Sequence, residues 1–474
     1  MSFLVYDLVF LFAFLIFSSI FLYTRRYNLK REGLLFLYKT SWGIKLINSI
    51  GKKYKKTLKA LGYVSITVGY LLMAGVIYLV FTIVKVYIFN PSIVRAIKVP
   101  PILPLFPYLP QAFNLDFLPP FYFTYWIVIL AIIAITHEMA HGFFAARDNV
   151  KIKTTGFGFF PFFLPIFLAA FVELDEKKMA KKSKFSQMSI LSAGTFANVL
   201  TGILFFGILV LFFSSAFSPA GVIFDSYATS AISIAGVSYI NGIAISNSSY
   251  DKVVELADRD GLNEMKIGNK SYLVTKEVLE NQKNNKGVIL VYNSAPAIKS
   301  NLSSIIIEIN GVKTDNMEKL VSEIAKYSPG DQVIIKTKTT EGIKEQFIML
   351  EEHPERAGTA WLGIGFTGQQ QSGVIGKVVS KLSSFKQPNI YYEPNYEVSV
   401  FIYNLLWWII LISLSVALMN MLPVGIFDGG RFFYLTVLGI TKNENIAKRA
   451  FAFSTYFFLF VLLLLMVFWA LRIF

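Results

Sequence analysis

The sequence contains no cysteine and only three histidines among its 474 residues. The lack of cysteine excludes disulfide bonds, cysteine nucleophiles and thiolate metal ligands. Charged residues are also scarce, at 16%, whereas 54% of the residues are hydrophobic. Several apolar runs reach the roughly 20 residues that cross a bilayer. The sequence therefore predicts a polytopic α-helical membrane protein.

The basic residues indicate how the chain is threaded through the membrane. Six spans are expected, near residues 3–24, 62–90, 121–146, 187–216, 398–419 and 446–472. The net charge of +15 could indicate a nucleic acid, but the lysines and arginines cluster beside the spans, so we expect no nucleic acid and a lipid bilayer as partner. The loop between the first two spans is strongly basic, which places it in the cytoplasm and, by alternation, puts residues 217–397 outside.

Two apolar stretches do not have the pattern of a span. Residues 33–47 suggest a helix lying on the membrane surface, with a solvated basic linker as the alternative. Residues 156–173 contain Pro161 and Pro165, at which a lipid-exposed helix would lose hydrogen bonds. Because basic residues flank this second stretch on both sides, we expect a re-entrant hairpin on the cytoplasmic side, with a kinked short helix as the alternative.

The outer segment is polar, and its short apolar runs alternate as strands do. Residues 287–298, 303–314, 317–327 and 330–339 predict strand, strand, helix and strand. This order resembles the PDZ family, and residues 221–245 repeat part of it. A single α+β domain is the alternative for this segment. We expect the whole chain to be organised as N-terminal spans with a basic cytoplasmic loop (1–120), the first half of a catalytic membrane core (121–216), a possible first PDZ-like unit (217–286), a PDZ-like α/β domain (287–370), a linker (371–397) and the second half of the core with the last span (398–474).

A metal site is indicated by T-H-E-M-A-H inside the third span. His137 and His141 are four residues apart, so both imidazoles lie on one face of a helix and can bind one zinc ion. Glu138 is then placed to act as general base on a zinc-activated water. Two satisfied core histidines are the alternative, but ionisable groups in hydrocarbon are costly and usually functional.

A catalytic zinc ion needs a third protein ligand. His353 is excluded if the outer segment does not reach the metal, which leaves a carboxylate. Asp428 is the candidate, in M-N-M-L-P-V-G-I-F-D-G-G-R (419–431), where Pro423 would interrupt the preceding apolar helix. A simple turn at the membrane surface is the alternative explanation of that segment.

The two motifs together resemble the site-2 protease family of intramembrane zinc metalloproteases. The family pattern is H-E-x-x-H on one span and N-x-x-P-x-x-x-x-D-G on a later one, matched here by Asn420, Pro423 and Asp428. The resemblance implies one Zn²⁺ per chain, Asp428 as the third ligand, and Asn420 near the substrate or the oxyanion. A third family element, S/A-G-P-x-x-N, reads S-A-G-T-F-A-N here, with Thr195 replacing proline and Asn198 in helix packing or site support.

The expected function is that of a zinc metalloendopeptidase that cleaves membrane-embedded, single-span protein substrates. We expect a multi-pass protein of the cell membrane, with its active site toward the cytoplasm and a PDZ-like region outside that binds a peptide tail or filters substrates by size. One alternative is a membrane metalloprotease of another H-E-x-x-H class, with Glu173 as a ligand. The other is a membrane PDZ adaptor with a non-catalytic metal, against which the intact Glu138 argues.

Overall fold

The structure is a computed structural model that describes residues 3–32, 35–90, 94, 100–103, 105–115, 117–159, 168–283, 287–366, 376 and 380–473. Its helices, in chain order, are α1 (Phe3–Thr24), α2 (Ile44–Lys53), α3 (Lys55–Phe89), α4 (Leu109–Ala112), α5 (Phe123–Arg147), α6 (Glu176–Ala180), α7 (Lys184–Ala216), α8 (Tyr250–Leu256), α9 (Lys276–Asn281), α10 (Pro296–Lys299), α11 (Met317–Ile324), α12 (Ser399–Asn420), α13 (Asp428–Thr441) and α14 (Glu444–Ile473). Its strands are β1 (Leu29–Glu32), β2 (Leu35–Thr40), β3 (Ile152–Phe159), β4 (Leu168–Leu174), β5 (Phe217–Ile223), β6 (Ser226–Tyr227), β7 (Thr229–Ser233), β8 (Tyr239–Ile240), β9 (Ile243–Ala244), β10 (Asn263–Ile267), β11 (Lys270–Val274), β12 (Val288–Asn293), β13 (Ile305–Ile309), β14 (Val312–Lys313), β15 (Gln332–Thr339), β16 (Gly342–Met349), β17 (Glu351–His353), β18 (Arg356–Trp361), β19 (Ile364–Gly365) and β20 (Ile390–Pro394). The chain forms two compact units, Met1–Phe212 with Val400–Phe474, and Phe213–Ser399.

Six helices in the described part of the chain are long and apolar enough to cross a membrane: α1, α3, α5, α7, α12 and α14. Their outward faces carry exposed large apolar side chains, among them Phe12, Leu71 and Phe453. Lipid favours such a surface, whereas water does not. The prediction of a polytopic helical membrane protein is therefore confirmed, and these six helices fit the six expected spans.

The first unit also contains an antiparallel sheet in the order β1-β2-β3-β4. Phe157 pairs with Ala170 across β3 and β4, and with Tyr38 across β3 and β2. The described flanks of the predicted hairpin are thus strands and not a kinked helix. The two prolines that motivated the prediction, within 160–167, lie outside the described residues.

The pairing of β2 with β3 corrects one prediction. Residues 35–40 are a strand, so the helix expected over 33–47 begins only at Ile44. The physical reason is that β3 offers a free strand edge, and a short amphipathic segment gains more from pairing with it than from lying alone on a surface. The pairing also brings the loop after α1 and the loop after α5 together.

The helix that follows the second unit is interrupted as predicted. α12 ends at Asn420, Pro423 lies in the turn, and α13 begins at Asp428. Proline cannot donate the hydrogen bond that would continue the helix. Leu422 and Val424 anchor the turn, because both are completely buried in a cluster that includes residues of α3 and α14.

The second unit has two hydrophobic cores under two large sheets. One sheet has the order β7-β12-β11-β10-β8-β9, and the other has the order β16-β15-β13-β5-β20 with β14 paired to β13. The sheets divide the strands differently from the predicted boundary at 286/287. Strand β12, expected to lead the second PDZ-like unit, pairs with β7 and β11, while β5 pairs with β13 and β20. Alternating hydrophobicity identifies a strand, but it does not specify the strand's partner.

Candidate active site

The sequence H-E-x-x-H lies in the C-terminal half of α5. His137 and His141 are both 8% exposed, and their Nε2 atoms are 3.1 Å apart. One helical turn separates the two residues, so the imidazoles converge on one side of α5 as the spacing predicted. Such an arrangement of two buried imidazoles leaves both Nε2 lone pairs facing the same point.

Asp428 reaches that point from the start of α13. Its Oδ2 atom lies 3.5 Å from Nε2 of His137 and 3.3 Å from Nε2 of His141. The following residue must be glycine, because a Cβ at Gly429 would lie 2.4 Å from the carbonyl carbon of Met421. The tight fold of this turn therefore places the carboxylate of Asp428 beside the histidines.

The donor atoms fit a zinc ion. A tetrahedral Zn²⁺ with bonds of about 2.0–2.1 Å holds its ligand atoms roughly 3.3 Å apart. The three observed separations are 3.1, 3.3 and 3.5 Å. Two imidazole nitrogens and one carboxylate oxygen are also a donor set that catalytic zinc sites use, with a position left for water. In the described part of the chain, these three residues are the group that could hold a metal ion.

Each imidazole has a polar neighbour behind it on α7. Nδ1 of His141 lies 2.6 Å from the carbonyl oxygen of Ile190, and Nδ1 of His137 lies 3.0 Å from the side-chain amide of Asn198. Asn198 is completely buried, and its Oδ1 atom has no hydrogen-bond partner among the described residues. The metal ligands of proteins are commonly oriented by such outer hydrogen bonds.

Glu138 lies outside the donor set, next to the sheet. Its Oε2 accepts a 2.9 Å hydrogen bond from the backbone N–H of Val172 on β4. Glu138 lines a polar cavity of about 800 Å³ that also contains the three donors. With Val172 it lines a second cavity as well, a mostly apolar one of about 340 Å³ between α2, α5 and the β3–β4 hairpin. The carboxylate thus stands between an apolar and a polar compartment.

Three other residues singled out from the sequence do not join the donor set. Asn420 is half-buried at the end of α12 and is not among the described residues that line the polar cavity. Glu173 lines that cavity, but its Oε2 accepts hydrogen bonds from Lys39 and Thr154. These hydrogen bonds, the one from Lys39 first, lower the pKa of Glu173 to about 2. In the second unit, Nδ1 of His353 accepts from the backbone N–H of Glu355.

Sequence reasoning missed one part of this site and left the position of another open. The backbone N–H of Val172 leaves no trace in the residue types, because any residue except proline could supply it. Asn198 did carry a signal, the S-A-G-T-F-A-N element, but Thr195 in place of proline obscured it. Its position behind His137 was not predictable from the element alone.

Two buried histidines and a half-buried aspartate, with a glutamate beside them on a helix apolar enough to cross a membrane, are the arrangement expected of a membrane metallopeptidase. The chain matches the model of peptidase family M50 over residues 125–465. It therefore belongs to this family, that of the site-2 proteases, and the resemblance seen in the motifs is confirmed.

A curated relative supports the assignment. The chain is similar to the zinc metalloprotease RasP of Shouchella clausii, with 23% identity over 207 residues, which cover 38% of this chain and 49% of that protein. The match thus spans about half the length of this relative. The matched family range begins within α5, so α1 and α3 lie outside it.

Proposed function

We propose that the protein is an intramembrane zinc endopeptidase that hydrolyses peptide bonds within or near transmembrane segments of other membrane proteins. One observation carries the proposal. The donor atoms of His137, His141 and Asp428 lie within 3.5 Å of one another, and the two histidines are on α5, a helix long and apolar enough to cross a membrane. Family membership supports the metallopeptidase chemistry.

His137, His141 and Asp428 would hold one zinc ion. When bound, zinc lowers the pKa of a coordinated water and polarises the scissile carbonyl group. All three donors come from helices α5 and α13, so the packing of these two helices positions them. Asn420, which the family resemblance places near the oxyanion, has no such geometric support here and stays a prediction.

Glu138 is the proposed general base and acid. The N–H of Val172 holds its Oε2, while no described residue donates a hydrogen bond to Oε1. Oε1 is therefore available to accept a proton from the attacking water and to deliver it to the leaving amine. A structural metal site would not need a carboxylate in this position.

The substrate must present an extended segment to this carboxylate. A transmembrane helix shields its carbonyl groups by internal hydrogen bonds, so it has to unwind locally before hydrolysis. Strand β4 ends the sheet, and no described strand pairs with its other edge. We propose that the unwound segment adds to this edge as a further strand beside Val172, in the manner of β-augmentation.

The basic loops indicate which side of the membrane each part of the chain faces. We propose that the active site faces the cytoplasm, because β2 and β3 pair and both lie in loops rich in lysine and arginine. The segment 217–397 then lies outside. We propose that it carries PDZ-like folding units that bind a peptide tail of the substrate or exclude substrates with large outer domains.

Zinc content and cleavage of a single-span substrate test the proposal together. Purified protein is expected to bind one Zn²⁺ per chain and to cleave a labelled single-span substrate in proteoliposomes. Asp428→Ala should lose both properties, because it removes one of three ligands. Glu176→Ala, an exposed carboxylate at the rim of the same cavity, is the matched control and should keep both. An Asp428→Ala protein with full zinc occupancy would instead favour a different third ligand.

A further inference from the structure

Three residues of α7 face the candidate zinc site at regular spacing. Ile190, Gly194 and Asn198 are four residues apart, so they lie along one face of the helix. None of them supplies a candidate ligand atom. The carbonyl oxygen of Ile190 and the amide of Asn198 nevertheless touch the two imidazoles from behind.

Gly194, between them, faces the donor atoms at close range. A Cβ there would lie 2.4 Å from Nε2 of His141 and 2.5 Å from Nε2 of His137, closer than real Cβ atoms approach. A methyl group would have to displace the imidazoles or an ion between them. Glycine is disfavoured inside a helix relative to alanine. Its presence in the middle of α7 therefore calls for a local reason, which this contact provides.

Asn198 completes the hydrogen bonding of the second imidazole. A neutral imidazole that gives Nε2 to a metal keeps its proton on Nδ1, and that N–H needs an acceptor. His141 has one in the carbonyl oxygen of Ile190. The structure places the amide nitrogen of Asn198 3.0 Å from Nδ1 of His137 and leaves the amide oxygen without a partner among the described residues. Because the oxygen and nitrogen of an amide are assigned from the hydrogen bonds around them, rotating this amide by about 180° puts the oxygen in that position, where it accepts the hydrogen bond from Nδ1–H. Each imidazole then has its own acceptor on α7.

We infer that α7 is the template of the zinc site, in which Gly194 leaves the space for the ion and Asn198 is the positioning residue that fixes the ring and tautomer of His137. The inference rests on the proposed function. It assigns the A-G-T-F-A-N element a role in metal binding that helix packing alone would not require. A packing role predicts that polar and apolar replacements of Asn198 of similar size act alike on the metal.

Cobalt binding to the full-length protein in detergent tests the template directly. The protein is stripped with a chelator and titrated with Co²⁺, whose visible absorption reports tetrahedral coordination. Gly194→Ala should fold, because alanine favours the helix, but it should not develop the absorption bands. Gly207→Ala is the matched control on the same helix, since nothing lies within 4 Å of a Cβ at that position, and it should titrate like the wild type.

The Asn198 variants separate orientation from packing. Asn198→Leu removes the acceptor at nearly constant size and should weaken Co²⁺ binding by about 10–100-fold, as loss of an outer hydrogen bond does. Asn198→Asp restores an acceptor for Nδ1–H and should keep the affinity near that of the wild type. Thermal unfolding of each variant in the presence of chelator shows whether the apoprotein is folded.

The outcomes distinguish failure of the proposed function from failure of the template inference. A wild-type protein that binds no Co²⁺ refutes the proposed function itself. A wild type that binds, together with Gly194→Ala and Asn198→Leu proteins of equal affinity and spectrum, overturns the template. If Gly194→Ala does not fold in chelator, the Asn198 pair decides alone: equal affinities for Asn198→Leu and Asn198→Asp would rule the inference out.

Discussion

Replacing Glu138 with glutamine should remove proton transfer and leave the rest of the site intact. The amide oxygen of glutamine can still accept the hydrogen bond from Val172, and Glu138 is not one of the donor atoms. Fold and zinc content should therefore not change. A positioned general base contributes typically 10²–10⁴-fold to the rate. At 1.36 kcal/mol for each factor of ten, the barrier should rise by about 2.7–5.4 kcal/mol.

The assay is single-turnover cleavage of a labelled single-span substrate in proteoliposomes, with zinc measured on the same preparation. Glu176→Gln changes another carboxylate of the polar cavity, one that is exposed and paired with Arg431. Exposed ion pairs contribute little, so this control should keep a rate close to that of the wild type. A Glu138→Gln protein that cleaves within tenfold of the wild type would refute the assignment of the base. Loss of zinc together with activity would show that Glu138 supports the metal instead.

Three further predictions concern the metal, the sheet and the helix packing. Removal of zinc by a chelator should abolish cleavage, and one equivalent of Zn²⁺ should restore it; activity that survives complete removal would contradict a metal mechanism. Hydrogen bonds, the one from Lys39 first and the one from Thr154 next, lower the pKa of Glu173 from 4.5 to about 2. The stabilisation that Lys39 contributes is therefore complete above pH 4.5 and is lost as the pH falls toward 2. The difference in thermal midpoint between the wild type and Lys39→Met should accordingly be constant near neutral pH and shrink in acid, and a constant difference throughout would argue against the contact. Asp7 in α1 accepts hydrogen bonds from the backbone N–H groups of Phe123 and Thr124, so Asp7→Ala should lower the free energy of unfolding by about 1–3 kcal/mol for each unpaired group, whereas an unchanged midpoint in detergent would show that α1 is not held in this way.

The parts of the fold that depend on local sequence were predictable. Runs of apolar residues indicated the six spans, because the requirement to cross hydrocarbon is met by one segment at a time. Pro423 predicted the break after α12 for a similarly local reason. The i, i+4 spacing of His137 and His141 predicted their convergence, and the family motif identified Asp428 as their companion far along the chain.

The strand pairings and helix contacts that depend on residues distant in the sequence were not predictable. Residues 35–40 became a strand because β3 offers an edge more than a hundred positions later, which no local pattern encodes. The strand β12 was recognised, but its pairing with β7 and β11, across the expected boundary at 286/287, was not predictable for the same reason. The neighbours of His137 on α7 depend on how two helices pack, which a single sequence does not determine.

Hydrogen bonds at both ends of α5 hold the helix that carries the two histidines. Asp7 of α1 binds the first N–H groups of α5, at one end of the helix. At the other end, the buried Arg147 donates to the carbonyl oxygen of Leu58 on α3 and to Ser189 on α7. Hydrogen bonds of charged groups are strong in apolar surroundings, so α5 is fixed to three other helices at its two ends. The histidines lie between these anchors, so under the proposed function we expect the substrate, rather than α5, to change conformation when its scissile bond reaches Glu138.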